Sequence, residues 1–171
     1  MAAQTDSPSY SVRPATVNDV AAILDFIKQL ALYEKEPDAV EATEETLRRN
    51  VFEKKYAEVL IAEEEVAGTE KPVGMALYFF SFSTWTSKPS LYLEDLFVNP
   101  PLRNKGIGKM LFRALGEVAK EKECGRMDWS VLTWNEPSIA FYTKVLGAKS
   151  MDGWQGMRLE KEGIDNLARL K

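Results

Sequence analysis

The chain has no histidine and only one cysteine, Cys124, among 171 residues. Without histidine it lacks the side chain whose ordinary pKa lies nearest neutrality and the commonest metal ligand, so acid-base chemistry must rest on carboxylates, tyrosine, lysine or water. A lone cysteine excludes an intrachain disulfide framework and a Cys-rich metal site, and Cys124 reads as a packed thiol near the end of a helix. No apolar run reaches the roughly 20 residues that a membrane-spanning helix needs, and the amino terminus lacks the basic-then-apolar order of a signal peptide. The expectation is a cytoplasmic protein that does not enter membranes. Positive charge is also scarce: 22 Lys and Arg against 26 Asp and Glu leave a net charge of -4. That balance speaks against nucleic-acid binding, which neutralises phosphates with clustered cations, and it suits a cationic partner.

With 45% hydrophobic residues the chain can bury one core, and residues 10–171 read as a single domain behind a flexible tail over 1–9. The apolar spacing predicts a strand at 11–13, helices over 17–32 and 44–52, and strands at 57–63, 73–83 and 92–98. A helix over 107–123, a strand at 127–132 and a helix over 137–145 follow. Short strands near 149–151 and 157–160 and a last helix over 163–170 complete the pattern. Thr16 and Asp19 form a helix-start signal, while Gly68 and Pro72 mark a turn. Glu63, Glu64 and Glu65 read as a solvated run beside that turn. The alternation of strands and helices indicates an α/β fold, a sheet covered by helices.

The densest chemical signal is Arg103-Asn104-Lys105-Gly106-Ile107-Gly108-Lys109, set between an apolar strand and a helix whose Ile107, Leu111, Ala114, Leu115 and Val118 share a face. Glycines at such a corner let the backbone approach a ligand, and the helix start adds free N–H donors and a partial positive charge. This is an anion site suited to phosphate. It is not a P-loop, because Met110 follows Gly108-Lys109, and it lacks the third glycine of a dinucleotide fold. Downstream, Trp134-Asn135-Glu136-Pro137-Ser138-Ile139-Ala140-Phe141-Tyr142 passes from a strand through a polar break into a helix, with Gly147 beyond.

The R-x-x-G-x-G run resembles the coenzyme A pyrophosphate loop of the GNAT acetyltransferases, and W-N-x-P-S-I-x-F-Y resembles the second half of their core. Tyr92-Leu93-Glu94-Asp95-Leu96-Phe97-Val98 is similar to the family's central strand. The openings Val12-Arg13-Pro14-Ala15-Thr16 and Leu30-Ala31-Leu32-Tyr33-Glu34 are similar to the branch of spermidine/spermine (diamine) and thialysine acetyltransferases. The resemblance implies the GNAT fold, a mixed, mostly antiparallel sheet flanked by helices, and acetyl-CoA as the acetyl donor with no metal. It implies donor contacts from Leu96, Phe97, Val98, Arg103, Asn104, Lys105, Gly106, Ile107, Gly108, Lys109, Asn135 and Tyr142. Asn104 stands where the branch often has glycine, and asparagine tolerates left-handed backbone.

A protonated alkyl amine, with a pKa near 10, cannot attack a thioester until a base takes its proton. By the resemblance that base is Glu94, and Tyr142 protects the departing thiolate with its phenol proton. Phe141 beside it reads as packing, and the tryptophans as packing rather than base stacking. A bulge in the central strand would bring Asp95 to the same site to hold the acceptor's cation, together with Glu34, Glu94 and Trp134, and would free the N–H groups of Leu96 and Phe97 for the thioester carbonyl. Thr133 replaces an acid that the branch commonly has before Trp-Asn. The expected acceptor is a small polyamine or diamine. The alternatives are a thialysine-like amino acid, a protein lysine, or acyl-CoA binding without turnover. Gly156 to Glu160 resembles the strand that joins a partner in diamine acetyltransferases, so a homodimer is expected.

Overall fold

A computed structural model describes residues 8–170 and divides the chain into two compact units, Met1–Ser130 and Val131–Lys171. Most of the expected tail over 1–9 lies outside the described residues, and the first strand already begins at Ser9.

The first unit holds a five-stranded sheet in chain order: β1 (Ser9–Pro14), β2 (Glu58–Val66), β3 (Thr69–Ser83), β4 (Lys88–Val98) and β5 (Arg126–Trp129). Neighbours run antiparallel from β1 to β4, and β5 is parallel to β4. The β2–β3 connection is tighter than the sequence suggested. Ala67 and Gly68 both have positive φ, 51° and 77°, the pairing of residues that lets a two-residue hairpin follow the twist of its strands. Strand pairing therefore runs on to Val66 and resumes at Thr69.

Helix α1 (Val20–Tyr33) follows a 3-10 turn at Val17–Asp19. Its Val20, Ile23 and Phe26 pack on Val59, Ile61, Met75, Leu77 and Phe97, the odd-numbered face of the sheet. Helix α3 (Ile107–Glu121) packs against β4 and β1 through its buried Ile107, Leu111, Phe112 and Leu115. Between α1 and β2, the helix expected over 44–52 forms as α2 (Glu44–Leu47) and a π-helical turn, Arg48–Glu53, whose widened hydrogen bonding is seen where Lys54 N–H donates to Arg49 O at 2.8 Å.

Glu63 to Glu65 are not a solvated loop. They lie in β2, and each carboxylate accepts a hydrogen bond from β1: Glu63 from Arg13 at 2.7 Å, Glu64 from Tyr10 at 3.1 Å and Glu65 from Ser9 at 3.2 Å. Arg13 also grips both oxygens of buried Asp19, at 2.8 and 2.9 Å, and Asp19 accepts the Thr16 backbone N–H at 2.7 Å. One guanidinium thus ties β1, β2 and the start of α1. Fork-to-carboxylate geometry makes this a strong kind of charge-assisted bond, and three consecutive acids beside a turn look like surface in the sequence.

In the second unit, α4 (Glu136–Ala140) leads into a π-helical turn, Phe141–Val145, which together replace the helix expected over 137–145. Helix α5 (Lys161–Leu167) closes the described chain. The strands expected near 149–151 and 157–160 do not form; those residues are irregular and exposed. A strand exists only by its ladder, and neither segment has a ladder partner among the described residues.

The Asp19 carboxyl is held down to about 2, first by the Arg13 hydrogen bond and then by Thr16, against the opposing effect of burial. A folded-state value below the unfolded one adds stability that is complete above pH 4 or so and is lost as pH falls toward 2. Asp19→Asn should therefore cost about 2 kcal/mol at pH 7, with a deficit that narrows as urea unfolding is repeated toward pH 2. An equal deficit at both ends would mean that the pairing is not its source.

Candidate active site

The sheet is irregular at one place that matters for chemistry. Tyr78 pairs with Leu93 and Leu77 with Asp95, so Glu94 has no residue opposite it on β3. An extra residue of this kind is a β-bulge, and it reverses the side on which later residues of the strand fall. Residues two apart in an unbroken strand share a face. Here Asp95 falls on the α1 side with Leu77 and Phe97, whereas Leu93 pairs with Tyr78 on the other side. Glu94 itself is exposed and Asp95 half-buried.

The parallel ladder to β5 stops where the bulge begins. It runs from Ser90–Arg126 to Leu93–Trp129, and among the described residues no strand pairs with that edge of Glu94 to Val98. Backbone groups of successive strand residues point to alternate edges. Asn99 N–H donates to Val73 O on β3 at 2.9 Å, so by alternation Phe97 also faces β3. Leu96 and Val98 present their amides to the open edge. The expected pair of freed donors, Leu96 and Phe97, is thereby shifted to Leu96 and Val98. Gly74 lets β3 and β4 close tightly just here, since a Cβ on it would stand 2.6 Å from the Phe97 carbonyl oxygen.

Beyond β4, a 3-10 turn at Pro100–Leu102 leads into the loop that opens α3. Asn104 takes the left-handed backbone expected of it, φ 64°, and Gly106 caps the helix at φ 87°, a conformation that favours glycine. The first helical bond shown is Met110 N–H to Gly106 O at 3.1 Å. The N–H groups of Ile107, Gly108 and Lys109 therefore point out of the helix start. Ile107 is buried and anchors the corner, while Lys105 and Lys109 are exposed beside it. Apart from its chain neighbours and the adjoining helix backbone, no heavy atom stands within 4 Å of where a Gly108 Cβ would be, so the space over this turn is open. Open N–H donors, a helix start and flanking cations fit the diphosphate of a coenzyme A ester. Arg103, which opens this loop, is held by two contacts: its Nε donates to Val98 O at 3.2 Å and its guanidinium lies 5.0 Å from the centroid of Tyr33. Tyr33 is the contact that sequence reasoning missed, although Tyr33-Glu34 stood out as a motif.

The fold gathers the carboxylates singled out in the sequence. Burial, with the negative charges of Glu94 and Glu34, pushes the Asp95 carboxyl up to about 6. Partial burial also raises Glu34, which follows the last residue of α1. The corner where α1 ends and β4 bulges is thus negative enough to oppose its own ionisation, and it favours a cation.

The remaining expected residues belong to the second unit. Asn135 caps α4, its Oδ1 accepting the Ser138 N–H at 3.4 Å. Tyr142 lies in the π-helical turn with its ring 5.7 Å from that of Phe141, and both are half-buried. Trp134 is 43% exposed. Thr133 is exposed beside it.

A strand with a bulge, an open ladder beyond it and a helix start with open N–H donors stand together in the first unit, and residues 23–148 match the model of the acetyltransferase (GNAT) family. The chain belongs to this family. As a GNAT protein it is an acetyl-CoA-dependent N-acetyltransferase. A thialysine N-epsilon-acetyltransferase of Sus scrofa is 39% identical over 94% of the chain and 98% of its own length. The spermidine/spermine N(1)-acetyltransferase-like protein 1 of Homo sapiens is 35% identical over 96% of the chain, which spans 24% of that longer protein. Among solved structures, an integron cassette protein from the mobile metagenome of V. cholerae shares the fold with a TM-score of 0.75 at 27% identity, covering 95% of this chain and 99% of its own.

Gly108→Val adds a branched side chain where the protein offers no obstacle, so the fold should persist while acetyl-CoA loses its approach to the helix start. Calorimetry should record at least about a tenfold weaker affinity, the scale of a lost charge-assisted bond, with an unchanged unfolding midpoint. Unchanged affinity would remove residues 103–109 from the donor site.

Proposed function

We propose that this enzyme transfers acetyl to a primary amine of a small polyamine or diamine by direct attack in a ternary complex. The observation that carries this reading is the negative corner of Glu34, Glu94 and Asp95, where burial first, and then the charges of Glu94 and Glu34, raise Asp95 to about 6. A second positive charge on the acceptor has a natural counterpart there.

In this reading acetyl-CoA supplies the acetyl group as a thioester. Residues 103–109 hold its diphosphate, the N–H groups of Leu96 and Val98 bind along the open edge of β4, and Asn135 and Tyr142 serve the pantetheine end. Glu94, exposed on the bulge, takes the proton from the attacking amine directly or through water. Asp95 and Glu34 hold the acceptor's other charge, and Trp134 lies along its chain. Tyr142 gives its phenol proton toward the departing sulfur, whose conjugate acid has a pKa near 8.5 against about 10 for the phenol. The family match over 23–148 includes residues of both compact units, and we read 10–171 as one catalytic domain.

A thialysine-like amino acid is the second reading. It is favoured by Thr133, which removes a negative charge before Trp134, and by the naming of the Sus scrofa relative. Assays of spermidine, thialysine and a basic peptide with acetyl-CoA separate the readings. For a polyamine, Asp95→Asn should raise KM roughly 10- to 100-fold, the equivalent of one charge-assisted contact, and much less for a monoamine. The wild-type kcat/KM for the polyamine should also fall as pH drops through about 6, where Asp95 takes up its proton, and the variant should lack that limb. Preference for thialysine, or an unmoved KM, favours the second reading.

Tyr142→Phe keeps the ring and deletes the hydroxyl, so turnover should fall about 100-fold with donor affinity kept. Full turnover would leave Tyr142 as packing.

We also propose a symmetric homodimer in the cytoplasm. Trp154, Met157 and Leu159 are 70%, 88% and 54% exposed in the carboxy-terminal segment, an apolar run that a partner copy would cover. Light scattering at micromolar concentration should give twice the chain mass; a fully active monomer would overturn the assembly.

A further inference from the structure

Arg103 opens the phosphate loop, yet its side chain is held from another direction. Its Nε donates to the Val98 carbonyl oxygen at 3.2 Å, on the open edge of β4, and its guanidinium lies 5.0 Å from the centroid of the Tyr33 ring. Tyr33 ends α1 and is 37% exposed. An arginine on an exposed loop loses side-chain freedom when it meets a phosphate. A ring face and a carbonyl that already fix its stem remove part of that loss. Arginine on an aromatic face is a favourable contact even near solvent, and it leaves the guanidinium edges available for further hydrogen bonds.

We propose that Tyr33 is a positioning residue for Arg103, holding the guanidinium where the donor's phosphates are recognised. This rests on reading 103–109 as the donor loop. It has a consequence that the motif does not contain. Tyr33 is joined directly to Glu34, which adds to the charge felt by Asp95. The end of α1 therefore serves both substrates, with Glu34 toward the amine and Tyr33 toward the donor. Any displacement of this helix end by one ligand is felt by the other, and such coupling acts equally in both directions.

The test is a double-mutant cycle read as acetyl-CoA affinity by calorimetry. Tyr33→Leu should weaken binding by about two- to fivefold, Tyr33→Phe should restore it because the ring face remains, and neither should move the unfolding midpoint. In an Arg103→Met background, itself weaker than wild type, Tyr33→Leu should have no further effect. Tyr33→Gln provides the same comparison should the leucine variant fold poorly. Equal losses in both backgrounds, or no loss on removing the ring, would overturn the proposal. If Arg103→Met binds acetyl-CoA as wild type does, the assignment of Arg103 to the donor loop fails, and the positioning role fails with it.

Discussion

The β3–β4 ladder is continuous from Ser83–Lys88 to Gly74–Val98 except at Glu94, and this one unpaired residue decides where the rest of the strand points. Without it, Leu93 and Asp95 would share a face, and either a carboxylate would enter the layer beneath α3 or a leucine would occupy the polar corner. With it, each meets a suitable environment. The close approach of Gly74 to the Phe97 carbonyl fixes the ladder just past the bulge, so the reversal is held from both sides. The loop that opens α3 starts from the same strand, which ties its position to the same irregularity.

That arrangement has an energetic cost. Asp95 is partly buried near Glu94 and Glu34, and its charge at neutral pH opposes folding because the unfolded chain would solvate it better. Functional sites commonly carry such a penalty. It is offset by features distant from the chemistry: the apolar layer of Ile23, Phe26, Ile61, Met75 and Phe97, and the Arg13 fork on Asp19 and Glu63. The latter shows that an acidic chain can still use its carboxylates to build structure where each has a donor.

Much of this was legible in the sequence, for physical reasons that differ by element. The helices over 20–33 and 107–121 were visible because their apolar positions recur on one face, and Gly106 was visible because a left-handed helix start favours glycine. Glu94 and Asp95 were placed by family resemblance, since spacing alone cannot reveal a bulge. The role of Glu63 was hidden because a run of glutamates looks solvated until the arginine fifty residues away is brought beside it. The π-helical turns at Arg48–Glu53 and Phe141–Val145 share the apolar spacing of ordinary helix, so pattern gave no warning of them. The Arg103–Tyr33 contact joins the loop after β4 to the end of α1, a long-range pairing that local propensity does not encode.

The early end of β5 makes β4 a central strand over one half and an edge over the other. An edge is a template: unpaired amides that can receive a ligand can equally receive the strand of another molecule, which is how edge-to-edge aggregation starts. The chain limits that risk with features of the strand itself. The bulge breaks the even spacing another strand would need, Glu94 and Asp95 place charge along the approach, and Pro100 and Pro101 stop the ladder from extending past Asn99. Replacing this acidic bulge with a smooth apolar strand would therefore do more than remove two carboxylates. It would expose a flat strand edge, and colloidal stability would suffer.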